Sequence, residues 1–231
     1  MKSSLKLYIS TTIAIGALII LSTLENWRCD NWPAFLMYAC VGLMAAAMKV
    51  QLPGLRGNVS ANFVFVLIGI AEFSSAETMV LGCAAAVMQS LWKARKRPSI
   101  TQVAFNVAAL AISIGAASSL KRQHLQLASP EQLVLMVGLA TIILFLTNTS
   151  LVGGVLSRIQ AKPFMEVWKG CFMWSFPCYV IGGFLAVLLA IASRTLGPSS
   201  SLIALPFLYS MFLYYRLIVE RFGRRSILAT S

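Results

Sequence analysis

Few residues in this chain could carry acid–base or metal chemistry. Among 231 residues, Asp30 is the only aspartate and His124 the only histidine. An aspartyl dyad and a histidine-based metal site therefore cannot be assembled. No Walker A, H-E-x-x-H or G-x-S-x-G pattern occurs. The five cysteines lack CxxC spacing and are expected to be free thiols. The sequence predicts no enzyme, no metal site and no cofactor.

Two carboxylates, Glu72 and Glu77, are the most informative ionisable groups. They bracket Phe73-Ser74-Ser75-Ala76, the predicted turn between two short apolar segments. A carboxylate at membrane depth is costly and often marks a ligand or proton site. Ser75 followed by Glu77 is also typical of a helix start, where an acid is favourable beside the N-terminal dipole. Capping with solvation is the favoured interpretation, and ligand sensing is the alternative.

Among the amide side chains inside apolar segments, the candidates for a functional role are Asn62, Gln89, Asn106 and Asn148. Polar groups in hydrocarbon must find partners, so interhelical hydrogen bonds are the favoured interpretation. The alternative is that these side chains line a small-molecule pocket. Together with Glu72 and Glu77, they form the set of candidate ligand-binding residues.

The elements that must position these groups are apolar segments of membrane-spanning type. Hydrophobic residues make up 58% of the chain and the mean hydropathy is +0.80, which excludes a water-soluble domain. The segments are 7–24, 33–48, 60–73, 76–92, 101–120, 131–157, 171–193 and 200–219. They predict an all-α, polytopic transmembrane bundle of about eight helices in one domain over residues 1–231. We expect the first helix to remain uncleaved, because no small-x-small site follows it.

The charged residues orient these helices. If the N-terminus is cytoplasmic, 15 of the 19 Lys and Arg residues fall in inner tracts and four in outer ones, which are Arg28, Lys121, Arg122 and Arg194. Cytoplasmic loops carry such an excess. The split predicts that both termini are cytoplasmic. It also explains the net charge of +12 without a nucleic-acid partner.

Three local features refine this topology. The chain must cross and return between Arg56 and Lys93, so 60–92 forms either two short spans or a re-entrant hairpin. Pro177 lies inside the seventh segment and predicts a kink there. Pro163–Gly170 mixes apolar and charged residues and predicts a short helix on the inner membrane surface.

Two sequence blocks carry a resemblance to a known family. The first is Lys49-Val50-Gln51-Leu52-Pro53-Gly54-Leu55-Arg56-Gly57-Asn58-Val59-Ser60-Ala61-Asn62-Phe63-Val64-Phe65, and the second runs from Gln89-Ser90-Leu91-Trp92 through Lys93–Pro98 to Gln102-Val103-Ala104-Phe105-Asn106-Val107. Together they resemble the MASE-type membrane sensor domains that precede GGDEF cyclase or HD-type phosphodiesterase domains in bacterial cyclic-di-GMP signalling. The resemblance covers about residues 33–120. No output domain follows within this sequence, so it implies sensing but no enzymatic output.

The resemblance implies a signal-input domain of the bacterial inner membrane, and we expect it to bind a small or lipophilic ligand among its helices. The signal would pass through the C-terminal cytoplasmic helix to an output domain or a signalling partner. Expected partners are therefore the lipid bilayer and that output partner, and a homodimer is left open. The alternative is a small-solute transporter or the substrate-binding membrane subunit of one.

Overall fold

A computed structural model describes residues 3–25, 27–51, 58–60, 62–92, 94, 97–122 and 129–197, together with 206, 209, 210 and 213. Within these ranges the chain is helical apart from one pair of short strands. In chain order the elements are α1 (Ser3–Leu24), α2 (Trp32–Ala47), β1 (Lys49–Gln51), β2 (Asn58–Ser60), α3 (Asn62–Glu72), α4 (Ser75–Leu91), α5 (Ile100–Arg122), α6 (Pro130–Gln160), α7 (Phe164–Phe172), a 3₁₀ turn (Met173–Ser175) and α8 (Phe176–Leu196). The predicted helical class is confirmed.

Among the helices in the described ranges, four are long and apolar enough to cross a membrane, namely α1, α5, α6 and α8. α2 and α3 are shorter apolar helices. The first six predicted segments match α1 to α6 with ends that differ by at most four residues. The eighth, 200–219, lies outside the described residues except for single helical positions.

The predicted seventh segment, 171–193, is wrong at its beginning. Residues 171–172 end α7, a 3₁₀ turn follows, and α8 starts at Phe176. Pro177 therefore lies in the first turn of α8 and does not kink its middle. A proline fits there because the first backbone N–H groups of a helix have no intrahelical acceptor.

The helix α7 confirms the short helix predicted around Pro163–Gly170. Its Val167 is buried, whereas Glu166 and Lys169 are exposed. The indole Nε1 of Trp168 donates to Thr149 Oγ1 of α6 at 3.1 Å. The apolar face of α7 thus packs on the end of α6.

The strands β1 and β2 were not predicted from the sequence. They pair antiparallel, with Val50 opposite Val59. Three-residue strands are too short to show an alternating pattern. The turn predicted at Pro53-Gly54 lies outside the described residues.

At the centre of the bundle is α3. All residues from Asn62 to Ala71 are buried, and the helix packs against α2, α4, α5, α6 and α8. Eleven residues give a helix about 16 Å long, roughly half the thickness of a hydrocarbon core. Protein therefore surrounds α3 on all sides. Its last residue, Glu72, is held by a rigid helix.

Close helix contacts depend on glycine. A Cβ on Gly16 of α1 would lie 2.6 Å from the backbone Cα of Ala108 in α5. A Cβ on Gly182 of α8 would collide with the ring of Phe63 in α3. That ring stacks on Tyr179 with centroids 4.5 Å apart. Small residues of this kind let membrane helices approach closely.

The helix ends form two separate groups. The start of α1 meets the last turns of α6, where the Tyr8 hydroxyl donates to the Leu151 carbonyl at 3.2 Å. The Arg158 guanidinium lies 4.1 Å above the Tyr8 ring, a cation–π contact. The starts of α2 and α4 and the ends of α3 and α8 meet elsewhere, around one cleft.

Candidate functional site

An open cleft of about 290 Å³ lies where α2 and α4 begin and α3 and α8 end. We call it the acidic cleft, and its polar lining is Asp30, Asn31, Tyr38, Glu72, Ser74, Glu77 and Ser193. Its volume is near the lower end of the range for small-molecule pockets. Three of the seven acidic residues of a chain with net charge +12 thus converge on one cleft.

Glu77 is positioned by the start of α4. The helix cap is Ser74, one residue before the predicted Ser75, which places Glu77 at the third helical position. Ser74 Oγ donates to Glu77 Oε2 at 2.6 Å, and the Ser74 N–H donates to the same oxygen at 2.9 Å. This reciprocal capping box fixes the carboxylate. The capping interpretation is confirmed, but Glu77 is only 6% exposed rather than solvated.

The thiol of Cys29, in the segment before α2, lies against the Glu77 carboxylate. Its pKa is raised, mainly by desolvation and further by the hydrogen bond and the charge of Glu77. A thiolate is disfavoured beside a carboxylate because like charges repel. The Glu77 charge is thus one of several causes of the raised pKa.

Glu72, at the end of α3, pairs with an arginine at the end of α8. The Arg194 Nε donates to Glu72 Oε1 at 2.9 Å. The two residues are 122 positions apart in sequence. The Arg194 and Glu72 side chains are 35% and 18% exposed, so the pair contributes at most about 1 kcal/mol. Its main consequence is geometric, because it joins α8 to the rigid α3.

Tyr38 of α2 forms part of the cleft lining. The residue is only 1% exposed, yet its hydroxyl has no hydrogen-bond partner in the described part of the chain. The Ser193 hydroxyl of α8 lies beside it. The Tyr38 ring meets Phe73 edge-on, with centroids 5.0 Å apart. A buried hydroxyl without a partner costs free energy, so this one is a notable exception.

Aromatic residues support one side of the cleft. Trp27, Trp32, Phe35 and Phe73 form a chain of tilted and edge-on contacts with centroids 5.6 to 6.2 Å apart. Phe73 itself also lines the cleft. The acidic groups therefore lie beside an aromatic wall, a combination that suits ligands with both charge and apolar surface.

The four predicted amides lie away from the cleft lining. Asn106 Nδ2 donates to Ser90 Oγ at 3.2 Å and so links α5 to α4. Asn148 of α6 lies within reach of the Tyr179 hydroxyl of α8. Asn62 is buried at the start of α3, and Gln89 is half-buried in α4. Of the six predicted residues, Glu72 and Glu77 are the two that line the cleft.

Of the polar lining residues outside the α3–α4 turn, four were not predicted from the sequence, namely Asp30, Asn31, Tyr38 and Ser193. Asp30 and Asn31 immediately precede α2 and lie in a predicted outer tract, as Arg194 does. This shared location in outer tracts was the feature of the sequence that could have indicated their proximity to Glu72 and Glu77. Tyr38 and Ser193 gave no signal, because a tyrosine or a serine is ordinary in such a segment.

The field in the cleft comes from side chains. Two helices begin here and two end here, so their dipoles oppose one another. Asp30, Glu72 and Glu77 outnumber Arg194, which leaves the cleft negative. Within the described ranges, no three His, Cys, Asp or Glu residues are grouped to hold a metal ion. The arrangement suits recognition of a cation by fixed oxygens.

In comparisons with known proteins, no family model, curated protein or solved structure matches this chain.

Proposed function

We propose that this chain is a sensory domain of the bacterial inner membrane that binds a small ligand in the acidic cleft. The observation that carries the proposal is the ion pair between Glu72 and Arg194 at the cleft edge. It ties the end of α8 to the central helix α3, whose surface is buried. A ligand that competes for Glu72 would change how α8 is held, and α8 leads directly into the C-terminal segment.

The proposed topology has eight crossings with both termini in the cytoplasm. The distribution of Lys and Arg supports it. So does the grouping of helix ends, because every end around the acidic cleft falls on the predicted outer side. The Tyr8 and Arg158 contact joins two predicted inner ends. In this topology the cleft opens to the periplasm and the C-terminal segment enters the cytoplasm.

The resemblance of residues 33–120 to MASE-type sensor domains supports the same function. It includes Asn62 at the start of α3 and Asn106 in α5, both of which lie in the helical bundle rather than in the cleft. We therefore propose that the resembling blocks maintain the bundle. The ligand contacts come from other residues. The proposal assigns no catalysis to this chain, and its output passes to a cytoplasmic domain or partner.

A covalent adduct can test signal transfer even while the ligand is unidentified. A bulky maleimide on Cys29 places a group against Glu77 at the cleft edge. With the full chain in nanodiscs, we expect altered hydrogen exchange in α8 and in residues 198–231. The matched control is Cys29→Ser treated with the same reagent. Unchanged exchange in both regions would overturn the proposal.

An uptake measurement distinguishes the transporter alternative from the proposed sensory function. Native mass spectrometry of the purified chain identifies any co-purified small molecule, which is then offered to proteoliposomes. A sensor binds this molecule without moving it across the bilayer. Saturable uptake into the vesicles would favour a transporter and overturn sensing.

A further inference from the structure

The short helix α7 and the basic residues beside it form an exposed surface that the acidic cleft does not include. We propose that this surface binds the headgroups of anionic phospholipids in the leaflet around it, which is the inner one in the proposed topology. Met165 inserts among the acyl chains, and Lys162 and Lys169 contact the phosphates. This inference does not rest on the proposed sensory function.

Contacts with α6 fix which side of α7 faces the protein. Three aromatic rings converge on Gly153 of α6, where an added Cβ would lie 3.2 to 3.5 Å from each of them; they belong to Phe164, Trp168 and Phe172. The hydrogen bond from the Trp168 indole to α6 holds the same side in place. Because this side is occupied, α7 has a defined opposite side that protein does not cover.

The uncovered side of α7 combines an apolar residue with a cation. Met165 is 54% exposed, and Lys169 is exposed as well. The two are four residues apart, so they are neighbours on the helix surface. A lysine at the membrane interface can keep its alkyl stem on apolar surface while its ammonium group reaches the headgroups. This pairing is typical of helices that lie in the plane of the interface.

Exposed apolar residues continue from α7 into α8, which identifies the bilayer as the occupant of this surface. Met173, in the 3₁₀ turn between the two helices, is exposed. From there an exposed stripe follows α8 at intervals of four residues, through Phe176, Val180, Phe184 and Leu188. Since α8 is long and apolar enough to cross a membrane, this stripe faces hydrocarbon. The exposed side of α7 extends it to the membrane surface.

The charges around α7 favour anionic over zwitterionic headgroups. Residues 158–172 contain the cations Arg158, Lys162 and Lys169 and one acid, Glu166, which gives a net charge of +2. Lys162 Nζ lies 2.9 Å from Glu166 Oε1, so the acid is already paired. Both side chains of this pair are exposed and their pairing is weak, which leaves Lys162 able to contact a phosphate as well. Basic residues beside a bilayer attract anionic lipid.

The test compares hydrogen exchange of the α7 amides in two kinds of nanodisc that hold the full chain. One kind contains phosphatidylcholine alone, and the other contains equal parts of phosphatidylcholine and phosphatidylglycerol. At low salt, we expect exchange in α7 to be slower in the anionic nanodiscs by about fivefold for each cation in contact with a headgroup. High salt should reduce this difference, because it screens exposed charges.

Three variants separate the effect of charge from that of folding. Lys169→Gln should lose most of the difference between the two nanodiscs, while its exchange in phosphatidylcholine alone stays unchanged because the side chain is exposed. Lys169→Arg keeps the charge and should keep the difference. Arg28→Gln is the matched control, since it removes an exposed cation from the segment before α2 and should leave exchange in α7 unchanged.

The outcomes that would overturn the inference are distinct from those that bear on sensing. They are equal exchange of α7 in the two nanodiscs, equal losses in Lys169→Gln and Arg28→Gln, or equal losses in Lys169→Gln and Lys169→Arg. Slower exchange on addition of soluble glycerol phosphate to phosphatidylcholine nanodiscs would show that a free phosphate suffices, and would overturn the lipid surface. None of these measurements uses the Cys29 adduct.

Discussion

Glu77 combines two roles in a single carboxylate, because it caps α4 and carries charge into the cleft. Its capping role follows from local sequence, since a serine three residues before a glutamate is a recognised helix start. Its neighbours do not follow from local sequence. Cys29 meets it, and Tyr38 lines the same cleft, because α2 packs beside α4. The acid was therefore predictable, whereas the site around it was not.

The Cys29 thiol gives a direct measure of the Glu77 charge. Glu77 raises the thiol pKa, so Glu77→Gln should lower it and increase the thiolate fraction near neutral pH. Since the thiolate is the nucleophile, alkylation of Cys29 should become severalfold faster. The rate is followed at neutral pH by mass spectrometry of the peptide that contains Cys29. Glu131→Gln serves as the control, and an unchanged rate in Glu77→Gln would contradict the contact.

At the scale of elements, segment positions were predictable and their surroundings were not. A lipid-facing helix and a central helix are both apolar all round, so the sequence alone cannot place α3 at the centre. The seventh segment was wrong at its beginning because only Ser175 interrupts the apolar run through the end of α7 and Pro177. Hydropathy marks this stretch but not the 3₁₀ turn inside it.

The contact between α1 and α5 should depend on the missing side chain of Gly16. Gly16→Ala places a methyl group against the Ala108 backbone, which cannot yield as a side chain can. We expect a loss of about 1–3 kcal/mol, as for an overpacked core, observed as a lower Tm in nanodiscs. Gly138→Ala in α6 is the matched control, because nothing lies within 4 Å of its added Cβ. Equal melting of both variants would argue against this packing.

The link between α3 and α8 can be tested by exchanging its charges. Glu72→Arg places a like charge beside Arg194 and should lower the Tm, although modestly because both groups are partly exposed. Adding Arg194→Glu should recover most of the loss, since the pair is rebuilt in the opposite sense. Thermal unfolding of both single variants and the double variant gives the coupling free energy. A coupling of zero would mean that the pair does not hold α8.

At the scale of the whole molecule, charge predicts a topology and the structure supplies an independent constraint. The cleft brings the residues before α2 together with the α3–α4 turn and the end of α8. These parts must therefore lie at the same end of the bundle, whether 60–92 forms two spans or a re-entrant hairpin. One experimentally located residue at the cleft thus locates all of them.

Reporter fusions and surface labelling together test this arrangement. Fusions after Arg97 and after Arg225 should report cytoplasm, because both positions end strongly basic tracts. A fusion after His124 should report periplasm. A membrane-impermeant maleimide should label Cys29 on intact cells, with Cys29→Ser as the unlabelled control. Periplasmic signal after Arg97 or Arg225 would exclude the eight-crossing topology. Labelling of Cys29 only after lysis would place the cleft on the cytoplasmic face, where it could not sample a periplasmic ligand.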